Sequence, residues 1–174
     1  MHGKTYIMKN IISIIVIALI VTSFSSCKKS DGGTTTYAST QGRVTATGGI
    51  TFDVTGVSTT FTRKTTSSVD SIYIGAATSL TTSSVTGAGF VLKNINTPGT
   101  YSLAGSSSSQ NAIAGYYAGT ASSDTYISSL TTTGPGTITI SAISTTSIEG
   151  TYTTKVTNYL GTAISFSGTF KGSF

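Results

Sequence analysis

Residues 164–174 read ISFSGTFKGSF. Ile164, Phe166, Gly168, Phe170, Gly172 and Phe174 take every second position, and Ser165, Ser167, Thr169, Lys171 and Ser173 fill the gaps. A period of two, with one apolar and one polar face, marks a half-buried antiparallel strand. The preceding run repeats the pattern: Ile148, Gly150, Tyr152, Thr154 and Val156 stand against Glu149, Thr151, Thr153 and Lys155. Residues 158–161 supply turn chemistry between the two runs, so together they predict a hairpin.

Upstream, Thr137-Ile138-Thr139-Ile140-Ser141 predicts another strand, opened by Gly134-Pro135-Gly136. Further strands are expected at 43–47, 50–54, 71–76, 89–93, 101–103, 112–118 and 124–130, with loops at 63–68 and 105–110. No window after Cys27 carries a helical stripe. Composition points the same way. Ser and Thr together exceed a third of the 174 residues, Gly contributes 20, and charged residues only 9%. The branched Cβ of Thr fits a pleated sheet, and hydroxyl groups wet a surface without charge. The expected fold is all-β: an antiparallel meander of about nine or ten short strands, forming a sandwich or an up-and-down, lipocalin-like barrel.

The N-terminus reads as an address. Lys4 and Lys9 precede the apolar run 11–21 (IISIIVIALIV), and small polar residues at 22–26 lead to Cys27. That is the three-part layout of a secretory signal. The apolar run is shorter than the roughly 20 residues a spanning helix needs. Met8 opens a compact version of the same signal and is a second candidate start. Ser25 and Ser26 fit a bacterial lipobox, with Phe24 where Leu is usual. Cys27 is therefore the expected lipid-attachment residue, and lipidation also accounts for a lone cysteine in an exported chain. The expected organisation is a signal peptide at 1–26, the lipidated Cys27 with a flexible tether at 27–41, and an all-β domain at 42–174. The expected location is the cell envelope, most simply the outer membrane, with the leaflet and the oligomeric state left open.

The motifs 98–103 (PGTYSL), 136–140 (GTITI), 148–152 (IEGTY) and 166–170 (FSGTF), with the terminal Gly172-Ser173-Phe174, resemble a family of small Bacteroidota lipoproteins known only as a domain of unknown function. The resemblance covers roughly residues 43–174. Its signatures are a P-G-T-Y turn, a G-x-I-x-I strand, a G-T-F hairpin and a terminal G-x-F. The family often has Phe where this chain has Tyr152, and an early Asn-Gly turn where this chain has Gly48-Gly49. The resemblance implies an all-β envelope lipoprotein and no particular activity.

The residues left for chemistry are few. The only His is His2, inside the leader, the only Cys is Cys27, and the chain has no Trp. This excludes His-based triads, Cys nucleophiles and His/Cys zinc sites from the mature domain. Asp53, Asp70, Asp124 and Glu149 are too scattered in sequence to suggest a carboxylate pair or a calcium loop. No catalytic residue, metal or cofactor is expected, and the chain is read as a non-enzyme. Lys4 and Lys9 fall in the leader, so eight basic residues face five acidic ones in the remainder, a net of +3. They are scattered, which argues against a nucleic-acid surface. Tyr116 and Tyr117 are candidate ligand contacts, because adjacent strand residues point to opposite faces and one should be exposed. Asp70-Ser71-Ile72 resembles a short acceptor for O-glycosylation, with Ser71 as the candidate site. The expected role is a membrane-anchored, non-catalytic module that binds an envelope protein or serves a structural role. The alternatives are a carrier for a small apolar ligand or a glycan-binding surface module.

Overall fold

The computed structural model describes residues 35–39, 42–66, 69–81, 84–105, 111–119 and 121–174, and Cys27 lies outside them. The strands are β1 (Thr35–Ser39), β2 (Gly42–Gly48), β3 (Phe52–Thr55), β4 (Thr59–Thr65), β5 (Asp70–Thr81) and β6 (Ser84–Lys93). They continue as β7 (Gly99–Ser102), β8 (Ala112–Tyr117), β9 (Thr125–Ile127), β10 (Gly136–Ile143), β11 (Ser147–Thr157) and β12 (Ala163–Ser173). Among the described residues there is no α-helix, only 3-10 turns at Gly56–Ser58, Ser122–Asp124 and Ser128–Leu130. The strands form one antiparallel sheet, ordered β1-β4-β5-β6-β8-β9-β11-β12-β2-β3, and nearly close into a barrel. β10 lies along the free flank of β11 and carries β7 on its other side. One end, here called lower, gathers Thr35, Thr65, Asp70, Lys93 and Ser147. The upper end gathers Ala76, Tyr116, Thr157 and Ala163.

The hairpin read from the sequence is β11–β12, in register from Ser147↔Ser173 to Thr157↔Ala163. Its inward face shows why residues 164–174 alternate Phe with Gly. Ile148 faces Gly172, Gly150 faces Phe170, and Tyr152 faces Gly168 across the two strands. Each wide side chain thus sits opposite a missing one. A Cβ on Gly150 would stand 2.6 Å from the Phe170 ring. Alternating large and small residues let a narrow barrel fill with side chains without overpacking. The rings then meet across the interior: Phe90 lies 4.5 Å from Tyr152 and 6.3 Å from Phe170, centroid to centroid. Ile72, Ile74, Leu92, Ile138 and Ile140 complete the buried core.

The wall opens briefly between β2 and β12. Their ladder pairs Ser167 with Thr47 and Phe170 with Val44, but not the residues between. There the Tyr152 hydroxyl donates to the Thr45 carbonyl at 2.6 Å, and Thr45 Oγ1 accepts from the Thr169 backbone N–H at 3.0 Å. Side chains therefore satisfy the backbone groups that the ladder leaves free. Gly168 makes this possible, because the Thr45 carbonyl occupies the space a Cβ would need.

At the lower end an ion pair closes the interior. Arg63 Nε and Nη2 donate to the two Asp70 carboxylate oxygens at 3.2 and 2.5 Å, and Nη1 donates to the Ser144 carbonyl at 2.8 Å. The guanidinium also lies 5.9 Å from the Phe174 ring centroid. Both side chains of the pair are about 15% exposed. Nearby, Phe61 fills the space left by Gly42 and Gly172, joining β4 to β2 and β12 by packing where no ladder connects them.

The strands expected at 71–76 and 89–93 are longer, running over Asp70–Thr81 and Ser84–Lys93, and three further segments differ from the sequence reading. Residues 35–39, placed there in the tether, form β1 and pair with β4. Arg63 and Lys64, read as the start of a loop, belong to β4. β4 has Phe61 as its only large apolar residue, so no apolar alternation announces it; buried Thr59, Thr60 and Thr62 do the work instead. Residues 124–130, read as one strand, contain only the short β9 between two 3-10 turns. The chain leaves the sheet at Ser128, whose hydroxyl accepts the Ala114 N–H at 3.1 Å and replaces a strand partner. Most of the loop expected at 105–110 lies outside the described residues.

Two stability outcomes follow from this packing, both readable by chemical denaturation. Gly168→Ala is expected to cost about 3 kcal/mol, and Tyr152→Phe about 1–2 kcal/mol by leaving a partly buried carbonyl unpaired. Asp70→Ala is expected to cost about 3 kcal/mol, because Arg63 would remain nearly buried without its partner.

Candidate functional site: a hydroxyl face and its groove

Outward positions follow from the inward ones, since strand residues alternate. Thr100 on β7 pairs with Thr139 on β10, Thr139 with Thr151 on β11, and Thr151 with Thr169 on β12. Thr45 on β2 extends the row, its Oγ1 3.0 Å from that of Thr169. A second row runs parallel two residues away: Ser102, Thr137, Thr153, Ser167 and Thr47 pair in turn across the same strands. The outer face of β7, β10, β11, β12 and β2 is therefore a grid of ten hydroxyl side chains in two rows, and none of them is buried. Neighbouring strands are about 4.8 Å apart, and residues two apart along a strand about 6.7 Å. Contacts such as Thr100 Oγ1 to Thr139 Oγ1 at 2.9 Å hold parts of the grid in place.

Charges border the grid on its lower side. Glu149, Lys171 and Arg43 lie in register across β11, β12 and β2. Lys171 Nζ meets Glu149 Oε2 at 2.8 Å, and this hydrogen bond raises the lysine pKa. Arg43 grips Asp53 through two hydrogen bonds of 2.8 and 2.6 Å, which hold that carboxyl below its ordinary range. A groove of about 670 Å³ runs here, lined by Arg43, Ser141, Glu149, Thr151, Thr169 and Lys171 among others. Hydroxyls and paired charges rim it, and Ala142, Ile148 and Phe170 add apolar surface, a mixture suited to a polar, uncharged partner that also presents apolar faces.

The candidates from the sequence fall elsewhere. Tyr116 points inward and is half-buried, its ring 5.9 Å from Tyr126 and 6.1 Å from Phe166. Burial, reinforced by Tyr126, pushes its phenol pKa up. These rings line the upper end of the interior. Tyr117 points outward, as alternation requires, yet is only 4% exposed. Its Oη lies 3.7 Å from where a Gly115 Cβ would stand, so the ring lies along the sheet where glycine leaves room. Burial first, and Tyr159 second, raise its pKa. Its buried hydroxyl has no hydrogen-bond partner among the described residues. The tyrosine pair is thus not an exposed platform. Ser71 is 8% exposed, between Lys64 and Lys93 on the neighbouring strands. Its side chain is therefore largely covered in the folded domain. Cys27 lies outside the described residues.

The carboxylates are spread over the fold. Asp53, Asp70 and Glu149 each face a different basic partner, and Asp124 accepts from the Ala121 N–H at 3.2 Å. The sequence reading missed the grid. Its signal was a recurring hydroxyl-x-hydroxyl triplet at 45–47, 100–102, 137–139, 151–153 and 167–169. No protein-family model, curated protein or solved structure matches the chain.

The contrast between the two buried tyrosine hydroxyls is testable. Tyr117→Phe removes a hydroxyl without a partner, so its denaturation midpoint should stay level or rise. A clear loss of stability would show that the Tyr117 hydroxyl is bonded in solution.

Proposed function

We propose that the chain is an exported, lipid-anchored envelope lipoprotein whose barrel is a non-catalytic binding module. Cys27 carries the first half of this reading: the sole cysteine directly follows an apolar run and small residues. Two or three acyl chains there would give stable membrane attachment where one chain alone is marginal. The turn and strand signatures shared with the Bacteroidota lipoproteins of unknown function agree with it. The hydroxyl grid supports the second half. Ten in-register hydroxyls beside a groove offer many weak, uncharged hydrogen bonds, and an extended glycan can take them. The carrier alternative is disfavoured, because Phe90, Tyr152 and Phe170 meet in the middle of the barrel, where a ligand would have to sit.

The regular repeat favours one further reading. A two-dimensional pattern of hydroxyls and methyls can also register with an ordered water lattice such as an ice surface. Adjacent strands twist by roughly 20°, so only three or four of them present a locally flat patch. Inhibition of ice recrystallisation is the direct assay.

Mass spectrometry of the membrane fraction tests the anchor. Diacylglycerol on an N-terminal Cys27 is expected, and Cys27→Ser should abolish it; an unmodified wild-type thiol would overturn the reading. For the face, Thr151→Arg should leave stability within about 0.5 kcal/mol of wild type, since the site is exposed. The same change should abolish retention on insoluble envelope polysaccharide, or ice activity. Retention and ice activity both unchanged would remove the grid from the function.

A further inference from the structure

Three ion pairs neutralise Arg43, Arg63 and Lys171 near the lower end of the barrel. Two lysines there remain. Lys64 and Lys93 are both exposed, and neither forms an ion pair with a described residue. They flank Ser71 in register, Lys64 on β4 and Lys93 on β6, and so project from the same outer face. The upper end has no such surplus: there one lysine, Lys155 on β11, is matched in charge by one carboxylate, Asp124. It also carries the β11–β12 turn, where Leu160 is 77% exposed.

The chain enters the barrel beside these lysines. Thr35, the first residue of β1, pairs with Thr65, the neighbour of Lys64. Only residues 28–34 separate it from Cys27. Fully extended, that stretch reaches about 28 Å. β11 alone runs about 35 Å along its length. Strands in a barrel tilt by roughly 40° from its axis, so β11 spans about 27 Å of barrel height, and a barrel with its upper end on the bilayer would need this stretch drawn out almost straight. Lys28 and Lys29 add basic charge to the short connection itself.

We propose that the lower end of the barrel, through Lys64 and Lys93, lies against the anionic phosphate headgroups of the membrane that holds Cys27. This rests on the lipoprotein reading above and adds an orientation to it. Basic groups near an anionic bilayer surface attract it over roughly a Debye length, well within reach of lysines at the foot of the barrel. The hydroxyl grid then stands on the side wall, clear of the bilayer, and the tyrosine-lined upper end faces away from it.

The chain has no Trp, so single reporters are unambiguous. Asn96→Trp places one in the exposed lower loop, and Leu160→Trp places one at the upper end. The processed protein is bound to vesicles containing brominated lipid, made either of phosphatidylcholine alone or with phosphatidylglycerol. Strong quenching at position 96 and little at position 160, deepened by phosphatidylglycerol, is the expected result. Lys64→Gln and Lys93→Gln should each reduce the preference for anionic vesicles about fivefold. Equal quenching at both ends, or indifference to phosphatidylglycerol, would overturn the orientation. The mass of the same protein separates the two ideas. An acylated chain with no preferred end loses the orientation and keeps the anchor. An unacylated chain that still shows the position 96 signal on anionic vesicles loses the anchor and keeps the basic face.

Discussion

The width of the barrel interior constrains everything else. Aromatic rings enter it from β4, β6, β11 and β12, and they fit only because glycines stand where other side chains would collide. Gly150 yields to Phe170, Gly168 to Tyr152, and Gly42 and Gly172 to Phe61. Glycine inside a strand normally weakens it, by roughly 0.5–1 kcal/mol relative to alanine. Here the cost is offset by burying whole rings that would otherwise have no volume to occupy. The same arrangement joins strands that share no hydrogen bonds, since the Phe61 ring bridges β4 to β2 and β12. Packing, and not a continuous ladder, brings the edges of the sheet together.

Much of this was legible in residues 148–174. The period of two fixed the faces, the turn fixed the hairpin, and the alternation of Phe with Gly encodes the large-to-small pairing once the register is known. The segments that escaped notice did so for a physical reason. β4 buries threonines, whose hydroxyls disguise an interior strand as a polar one. β1 has little apolar content in its sequence and gains its place by pairing with β4. β9 did not escape but was read too long, as residues 124–130, because Ser128, where the chain leaves the sheet, imitates a strand partner with one hydroxyl. Periodicity detects strands whose burial is apolar, and this chain buries several that are not.

The outer face was less legible, because it is a property of register between strands far apart in sequence. Thr45 and Thr169 are 124 residues apart yet touch through their hydroxyls. Each triplet alone is an ordinary amphipathic strand fragment. Only the strand order β7-β10-β11-β12-β2 lines the five up. Tyr116 and Tyr117 show the converse. Adjacent aromatics drew the eye, but alternation sends one ring inward, and the glycines beside the other let it lie flat and covered.

The two faces of the wall have separated tasks. On β11 and β12, stability resides at even-numbered positions, where rings, isoleucines and glycines interlock. The odd-numbered positions carry hydroxyls and exposed ion pairs, which contribute little to folding. Substitution on the outside is therefore cheap, yet charge on this face is confined to the margins of the grid, at Arg43, Glu149, Lys155 and Lys171. A surface merely required to stay wet would be more easily made with lysine and glutamate, which tolerate any spacing. Threonine at regular positions instead supplies oriented donors and acceptors on a stiff side chain, at little entropic cost when a partner arrives. That economy is the physical argument behind proposing a binding module.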